Sequence, residues 1–421
     1  MRKIFPAFFI LLVVFALNFV SCNDAALDTF TLDPSNTVGF TTVNDLSYPA
    51  PAPRTVTVTN NGGSPVTAKI GLSGKDAAVF TVSEISVDIE AKGQKTFTIS
   101  VGAGLDWGLY QAIVTVSADN YASIPLEIRF NVQKLEKHLY IAFGQSNMQG
   151  PGEIRVQDKR YTSDRFKILN VVTGKYDAED RTKGEWYTAV PPLIISGSLI
   201  NYLQLNIGLG PSDHFGQTLA RKITNEITVG LVAVANGDLA LASFHKTKGA
   251  QYFDNSTADK ESGRPSSTER QGWTRYTGTG ANYTSIYDAI ISNAKKAQSE
   301  GWIVKGIIMH QGESGRGLTY TSWHEMLKEI YNDMLSDLSL EPNSVPILLG
   351  QLWNAGVGPG GYLNTNNTLI QAVLPNAWVI STEGLTKGRV GQGQPDNIHF
   401  GSEDLEGLGK RYAEKMFELV Y

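Results

Sequence analysis

The sequence predicts a multidomain chain, an all-β sandwich of immunoglobulin-like type followed by an α/β domain on a parallel sheet of about five strands. Three observations carry this. Residues 30–134 hold short runs that alternate apolar and polar, separated by turn clusters. Beyond residue 135, wholly apolar strands alternate with helical stretches. The length of 421 residues, 42% hydrophobic and 18% charged, supports more than one buried core and is too apolar for a disordered chain.

The N-terminus comes first. Arg2 and Lys3 precede the apolar run 4–20, and Ser21-Cys22 follows. The run contains Pro6 and Asn18, is short for a membrane span and fits the apolar region of an export signal. A small residue before a lone cysteine resembles the lipobox of bacterial lipoproteins, with Phe19 where Leu is usual. That resemblance implies a signal peptide over 1–21, acylation of Cys22 and a tether over 22–29. It also implies export and a lipid anchor at the bacterial outer membrane, facing the periplasm or the cell surface. Cys22 is the only cysteine, which excludes an intramolecular disulfide, Cys-ligated zinc and a cysteine nucleophile deeper in the chain. Lys plus Arg number 36 against 41 for Asp plus Glu, a formal charge of −5. That leaves no basic surplus for nucleic acid.

Residues 30–134 include TVTVTN (55–60), VTAKIGL (66–72), KTFTISV (95–101), YQAIVTVS (110–117) and IPLEIRFNV (124–132). About seven short strands at this spacing predict an antiparallel sandwich. The stretch from TVTVTNNGGSPVT onward resembles Ig-like modules that precede bacterial surface enzymes. The segment carries no ionisable cluster, so a spacer role is expected; Trp107, Tyr110 and Tyr121 are the residues that could instead contact sugar.

In the second region the expected strands are 139–144, 229–237, 305–312, 345–351 and 377–382. Helices are expected over 213–226, 283–300, 321–338, 366–374 and 402–420. Strands apolar throughout and spaced by helices predict a parallel sheet covered on both faces, with chemistry at the C-terminal strand ends. Residues 246–278 are polar and predict a surface excursion, and 194–207 predicts an insertion near the site.

The residues able to do chemistry stand at those strand ends. The first strand ends in Gly144-Gln145-Ser146-Asn147-Met148, where a hydroxyl opens a turn and can act as a nucleophile or cap a helix. The second ends in Asn236-Gly237, whose backbone N–H could face that serine. The third ends in His310-Gln311-Gly312-Glu313-Ser314, which offers an amide donor and two titratable groups. Asp396-Asn397-Ile398-His399-Phe400 precedes the final helix. An acid three residues before a histidine can reach Nδ1 within one turn and leave Nε2 as a base.

GQSNM, HQGES and DNIHF together resemble the SGNH-type carbohydrate esterases. Within these they resemble carbohydrate esterase family six, with its acetylxylan esterases, and the related sialate O-acetylesterases. The resemblance runs from Lys137 to Tyr421 and includes GEWYTAVPPL (184–193), GLGPSDHFGQTLA (208–220), VGLVAVANG (229–237) and LGKRYAEKM (408–416). It implies a three-layer, flavodoxin-like α/β/α domain over 135–421. It implies metal-free, cofactor-free removal of acetyl groups from a polysaccharide or oligosaccharide, acetylxylan-like in the first instance. Sialate O-acetyl hydrolysis is the alternative within the same mechanism. A surface glycan-binding lipoprotein with little turnover is the alternative outside it. By the same resemblance Ser146 is the nucleophile and His399 the base. Asp396 is its acid, with Glu313 the alternative, and the Ser146 and Gly237 N–H groups and the Gln311 side chain are oxyanion donors. Two positions depart from the family pattern. Asp238 stands where a second glycine is common, and Phe244 where Trp is common. Trp186, Tyr187 and Trp353 are aromatic residues that could stack on a sugar ring.

Overall fold

The protein is described from a computed structural model over residues 27–44, 47–176, 179–194, 207–254, 265–279, 281–314, 318–352, 370–386, 388–391 and 394–421. The expected signal peptide, Cys22 and most of the tether lie outside the described residues, as do 195–206 of the expected insertion and 366–369 of the expected helix. The chain divides into two compact units between Lys134 and Leu135.

The first unit is all-β. One antiparallel sheet runs Phe30–Asp33, Arg54–Asn60, Gln94–Val101, Phe80–Val82. The other runs Thr37–Gly39, Ile124–Val132, Gly108–Ser117, Val66–Ser73, Ser86–Ile89. Alternate residues from both, such as Val56, Val58, Phe97 and Ile99 against Val114, Val116, Ile128 and Phe130, form one core. Where about seven strands were expected, the described residues form nine, and the Thr37–Gly39 pairing with Ile124–Val132 is parallel. The extra strands are three or four residues long, too short to show an alternation in sequence. Tyr121 is held inside this unit. It stacks on Phe30 at 4.5 Å, and its hydroxyl donates to Asn60 Oδ1 at 2.7 Å. Trp107 is exposed.

The second unit is built on a seven-stranded sheet. In chain order the strands are β1 (Glu136–Gly144), β2 (Phe166–Leu169), β3 (Trp186–Thr188), β4 (Ile227–Ala235), β5 (Trp302–His310), β6 (Ile347–Gly350) and β7 (Ala377–Ile380). Their order in space is β3-β2-β4-β1-β5-β6-β7. All neighbours are parallel except β2 and β3. The five strands expected from sequence are β1, β4, β5, β6 and β7. The sheet is therefore mixed and wider than expected, because β2 and the antiparallel edge strand β3 are short.

Both faces are buried, which is why the strands read as continuous apolar runs. Along β1, Leu139, Ile141 and Phe143 enter one core while Tyr140 and Ala142 enter the other. Helices Ile286–Ser299 and Tyr320–Asp337 cover the first face, and Pro211–Lys222 and Ser402–Val420 the second. Three of the four are started by a fixed donor–acceptor pair. Ser285 Oγ accepts from Asp288 N, Thr319 Oγ1 from Ser322 N, and Asp213 Oδ2 from Gly210 N.

The described part of residues 246–278 is not a surface excursion. It folds into helices Lys248–Phe253 and Ser267–Thr277, which bury Tyr252, Phe253 and Tyr276 in the first core. Glu269 is fully buried and accepts from Ala240 N, Ser266 N and the Tyr252 hydroxyl. A polar composition here marks a helix cap turned inward.

Candidate active site

The nucleophile candidate is placed by a turn that only glycine can make. β1 and β5 run in parallel register to their last residues, where Gly144 faces His310. Gly144 has φ of 151°, and a Cβ there would lie 2.1 Å from the His310 carbonyl oxygen. The chain reverses there, Gln145 N donates to the His310 carbonyl at 3.1 Å, and a four-residue helix, Ser146–Gln149, begins. Ser146 is its first residue and is half-buried. Its Oγ lies 2.8 Å from His399 Nε2. That contact joins residues 253 positions apart and brings together two residues picked out from sequence.

His399 sits on the hairpin of β8 (Gly388–Gly391) and β9 (Gln394–Phe400). The pairing puts Gly388 opposite Phe400 and Val390 opposite Pro395, so two steps of β8 span five of β9. The surplus residues, Asp396–His399, form a bulge. The one-turn geometry expected for Asp396 and His399 is thus replaced by a bulged strand. The Asp396 side chain lies outside the described residues.

Glu313 is nearly buried, with 10% of its side chain exposed. Its Oε1 accepts from Asn147 Nδ2 at 2.6 Å and lies 3.4 Å from His310 Nε2. Burial alone would raise its pKa. The His310 imidazole and the Asn147 amide outweigh burial and hold the carboxyl below its ordinary range. Asn147, fully buried, also donates to the Ile398 carbonyl and accepts from Phe400 N, both at 3.1 Å.

Gly237 closes the other side. A Cβ built on it would lie 3.9 Å from Ser146 Cβ, so its backbone flanks the nucleophile. Its N–H donates to Gln149 Oε1 at 2.7 Å, while Gln149 Nε2 is buried without a partner. Gln311 is fully buried and its Nε2 donates to the Leu239 carbonyl at 2.7 Å. The expected oxyanion amide is therefore turned to a main-chain acceptor in the loop after β4. Asp238, at φ of 65°, accepts from Ser314 Oγ at 2.8 Å and from Ser266 Oγ. Ser314 N in turn donates to Gln145 Oε1 at 3.0 Å. The carboxylate at the departing position therefore ties the β5 loop to the cap of helix Ser267–Thr277. Sequence reasoning did not single out Asn147, Gln149, Ser266 or Gln145. Asn147 and Gln145 flank the serine inside GQSNM, and only their burial gives them away.

The two described aromatic candidates, Trp186 and Tyr187, are not gathered here. Trp186 stacks on Trp302 at 4.1 Å, and its Nε1 donates to Glu300 Oε2 at 2.6 Å. Trp302 begins β5, so this pair lies at the opposite sheet edge from His310. Tyr187 packs on the second core and its hydroxyl accepts from Thr182 N. Trp353 lies outside the described residues. Phe244 is fully buried against Phe143, with ring centroids 5.1 Å apart. Among the described residues one trio, Asp158, His214 and Glu406, has ligand atoms within 4.8 Å of one another. Arg155 donates to both of its carboxylates, so a guanidinium already meets their charge.

A serine hydroxyl on an imidazole nitrogen, at the C-terminal edge of a parallel sheet and flanked by a backbone N–H, can support acyl transfer. Among solved structures, the chain resembles a protein from Arabidopsis thaliana at 17% identity. That match covers 68% of this chain and 100% of the other, with a TM-score of 0.46. It resembles NanS at 15% identity, covering 68% and 98%, with a TM-score of 0.45. A further likeness, covering 31% of this chain, is to the PapD-like domain of human CEP192 at 14% identity, covering 100% of that chain with a TM-score of 0.21. Residues 136–418 match the sequence model of the SASA family, described as carbohydrate esterase, sialic acid-specific acetylesterase. With most of its length matched, the chain belongs to that family and is a carboxylic ester hydrolase, an acetylesterase of carbohydrates.

Proposed function

We propose that the protein is a serine O-acetylesterase acting on an acetylated glycan. The observation that carries this is the 2.8 Å contact between Ser146 Oγ and His399 Nε2. His399 takes the hydroxyl proton as Ser146 attacks the acetyl carbonyl. The tetrahedral oxyanion is held by the N–H of Ser146 and by that of Gly237 once Gln149 yields it. The sugar oxygen leaves with the proton from His399. Water, deprotonated by the same imidazole, then releases acetate and restores the serine. Asp396 is the proposed partner of Nδ1, with Glu313 the alternative. The order β4-β1-β5-β6-β7 supports reading the domain as flavodoxin-like.

The family description makes O-acetylated sialic acid the first substrate to test. Asp238 favours a second reading. Its carboxylate follows Gly237 directly and would repel a sialate carboxylate, which suits a neutral, acetylxylan-like polysaccharide. Acetate release from O-acetylated sialic acid and from acetylated xylan, compared at equal enzyme, separates the two. Ser146→Ala should abolish both; turnover that survives it would refute the serine mechanism.

Export and lipid anchoring through Cys22 are proposed from residues 2–22, with the β-sandwich as a spacer. Cys22→Ala should release the protein from the membrane fraction. A wild type that is already free of membrane and of lipid label would refute the anchor.

A further inference from the structure

We propose that Asn147 is the positioning residue for the general base. Its one carboxamide holds the bulge that carries His399 and fastens it to the helix that carries Ser146. The inference rests on Ser146 and His399 acting as nucleophile and base.

Asp396–His399 stand outside the β8–β9 ladder, because the pairing passes from Pro395 directly to Phe400. Main-chain groups of a bulge that turn toward the interior need other partners. Two of them, the Ile398 carbonyl and the Phe400 N–H, flank His399, and both are met by Asn147. These are the two groups that a neighbouring parallel strand would engage around residue 399. The Asn147 amide thus does the work of a missing strand at the one place where the base must be aimed.

The side chain is used almost to capacity. An asparagine amide has two N–H donors and one carbonyl acceptor in a plane. Nδ2 serves the Ile398 carbonyl at 3.1 Å and Glu313 Oε1 at 2.6 Å, and Oδ1 serves Phe400 N at 3.1 Å. Asn147 follows Ser146 in the same helix, so a short closed circuit fixes the nucleophile–base distance. It runs from the Ser146 backbone through Asn147 to the strand around His399, and through the imidazole back to Ser146 Oγ. Glu313 enters this circuit through the amide. The carboxylate of HQGES therefore bears on the base by way of Asn147.

Neither aspartate nor alanine satisfies all three partners. Aspartate keeps the acceptor for Phe400 but sets a second carboxylate against Glu313 and the Ile398 carbonyl. Alanine removes all three of these hydrogen bonds.

The test is steady-state hydrolysis of a chromogenic acetate ester by Asn147→Ala and Asn147→Asp, with Ser146→Ala alongside. Asn147→Ala should lower kcat roughly 10²-fold, the scale of a misplacement near 1 Å, with KM within about threefold. Asn147→Asp, though the same shape, should fall at least as far. A space-filling role predicts the reverse order, with Asp mild and Ala severe. Wild-type kcat in Asn147→Asp, or a change in KM alone, overturns the proposal. If neither variant folds, residue-resolved amide exchange in the wild type decides. The Phe400 N–H should exchange slowly with the core, and fast exchange there overturns it. Turnover surviving Ser146→Ala would instead sink the serine mechanism; loss in Ser146→Ala with normal Asn147 variants removes only the positioning role.

Discussion

Asp396→Asn and Glu313→Gln, made separately, should have very unequal effects on kcat. The two carboxylates stand in different places. Asp396 is on the bulge with His399, while Glu313 faces Asn147 and His310. In Glu313→Gln the amide oxygen can still accept from Asn147 Nδ2. The change exchanges a charge-assisted bond for a neutral one, a loss of about 1–1.5 kcal/mol. At about 1.4 kcal/mol per factor of ten, kcat should fall roughly tenfold. The acid that fixes the His399 tautomer has no such substitute. Its amide would present a donor where an acceptor is needed, and losses near 10⁴ follow in serine hydrolases of other folds. The assay is kcat on a small acetate ester at one fixed pH, with circular dichroism and a melting curve for each variant. A crippled Glu313→Gln beside a mild Asp396→Asn would refute the assignment. Equal severity would mean that the two acids act as one unit. Stability gives a second reading of Glu313. Its pKa is lowered, so its contribution is present above the ordinary glutamate value of 4.5 and is lost as pH falls through the folded value. Glu313→Gln should flatten that acid limb.

Gly144→Ala should cost at least about 3 kcal/mol in urea unfolding, since strain at positive φ adds to the approach of the His310 carbonyl; a cost under about 0.5 kcal/mol would contradict the turn. Burial pushes the Asp213 carboxyl up to about 8 from 3.8. Between those values the folded chain keeps a proton that the unfolded chain releases. Stability should then fall as pH rises, by up to about 1.4 kcal/mol per unit, and level off above pH 8. Asp213→Asn keeps an acceptor for Gly210 N and should remove that slope; an unchanged profile would show that another group carries it. A chain beginning at Leu135 should fold and keep its kcat on the small ester, because every described member of the site lies after that boundary. A large loss with the fold intact would place part of the site in the sandwich.

Legibility in the sequence followed physical cause. β1, β4 and β5 could be read because wholly apolar runs stop abruptly at polar residues, and those stops are where Ser146, Gly237 and His310 stand. His399 could be read because its polar neighbours precede a long amphipathic helix. β2 and β3 could not, being four and three residues long. Helix Ser267–Thr277 was hidden by its polarity, since its capping glutamate is turned into the core. Gln311 and Asn147 are both buried amides beside catalytic motifs, and their partners are main-chain atoms of distant segments. No spacing rule distinguishes an amide aimed at substrate from one aimed at a carbonyl.

The span of 253 residues between Ser146 and His399 sets a schedule for the chain during its synthesis. β1 is sandwiched between β4 and β5, so the strand that presents the serine has no seat until residue 310 has been made. At about 5–20 residues per second, roughly 13–50 s separate the translation of the hydroxyl from that of its imidazole. On the proposed mechanism the serine has no base throughout that interval. On the same mechanism, hydrolytic competence therefore waits for the hairpin that carries His399, the last strand pair before the final helix.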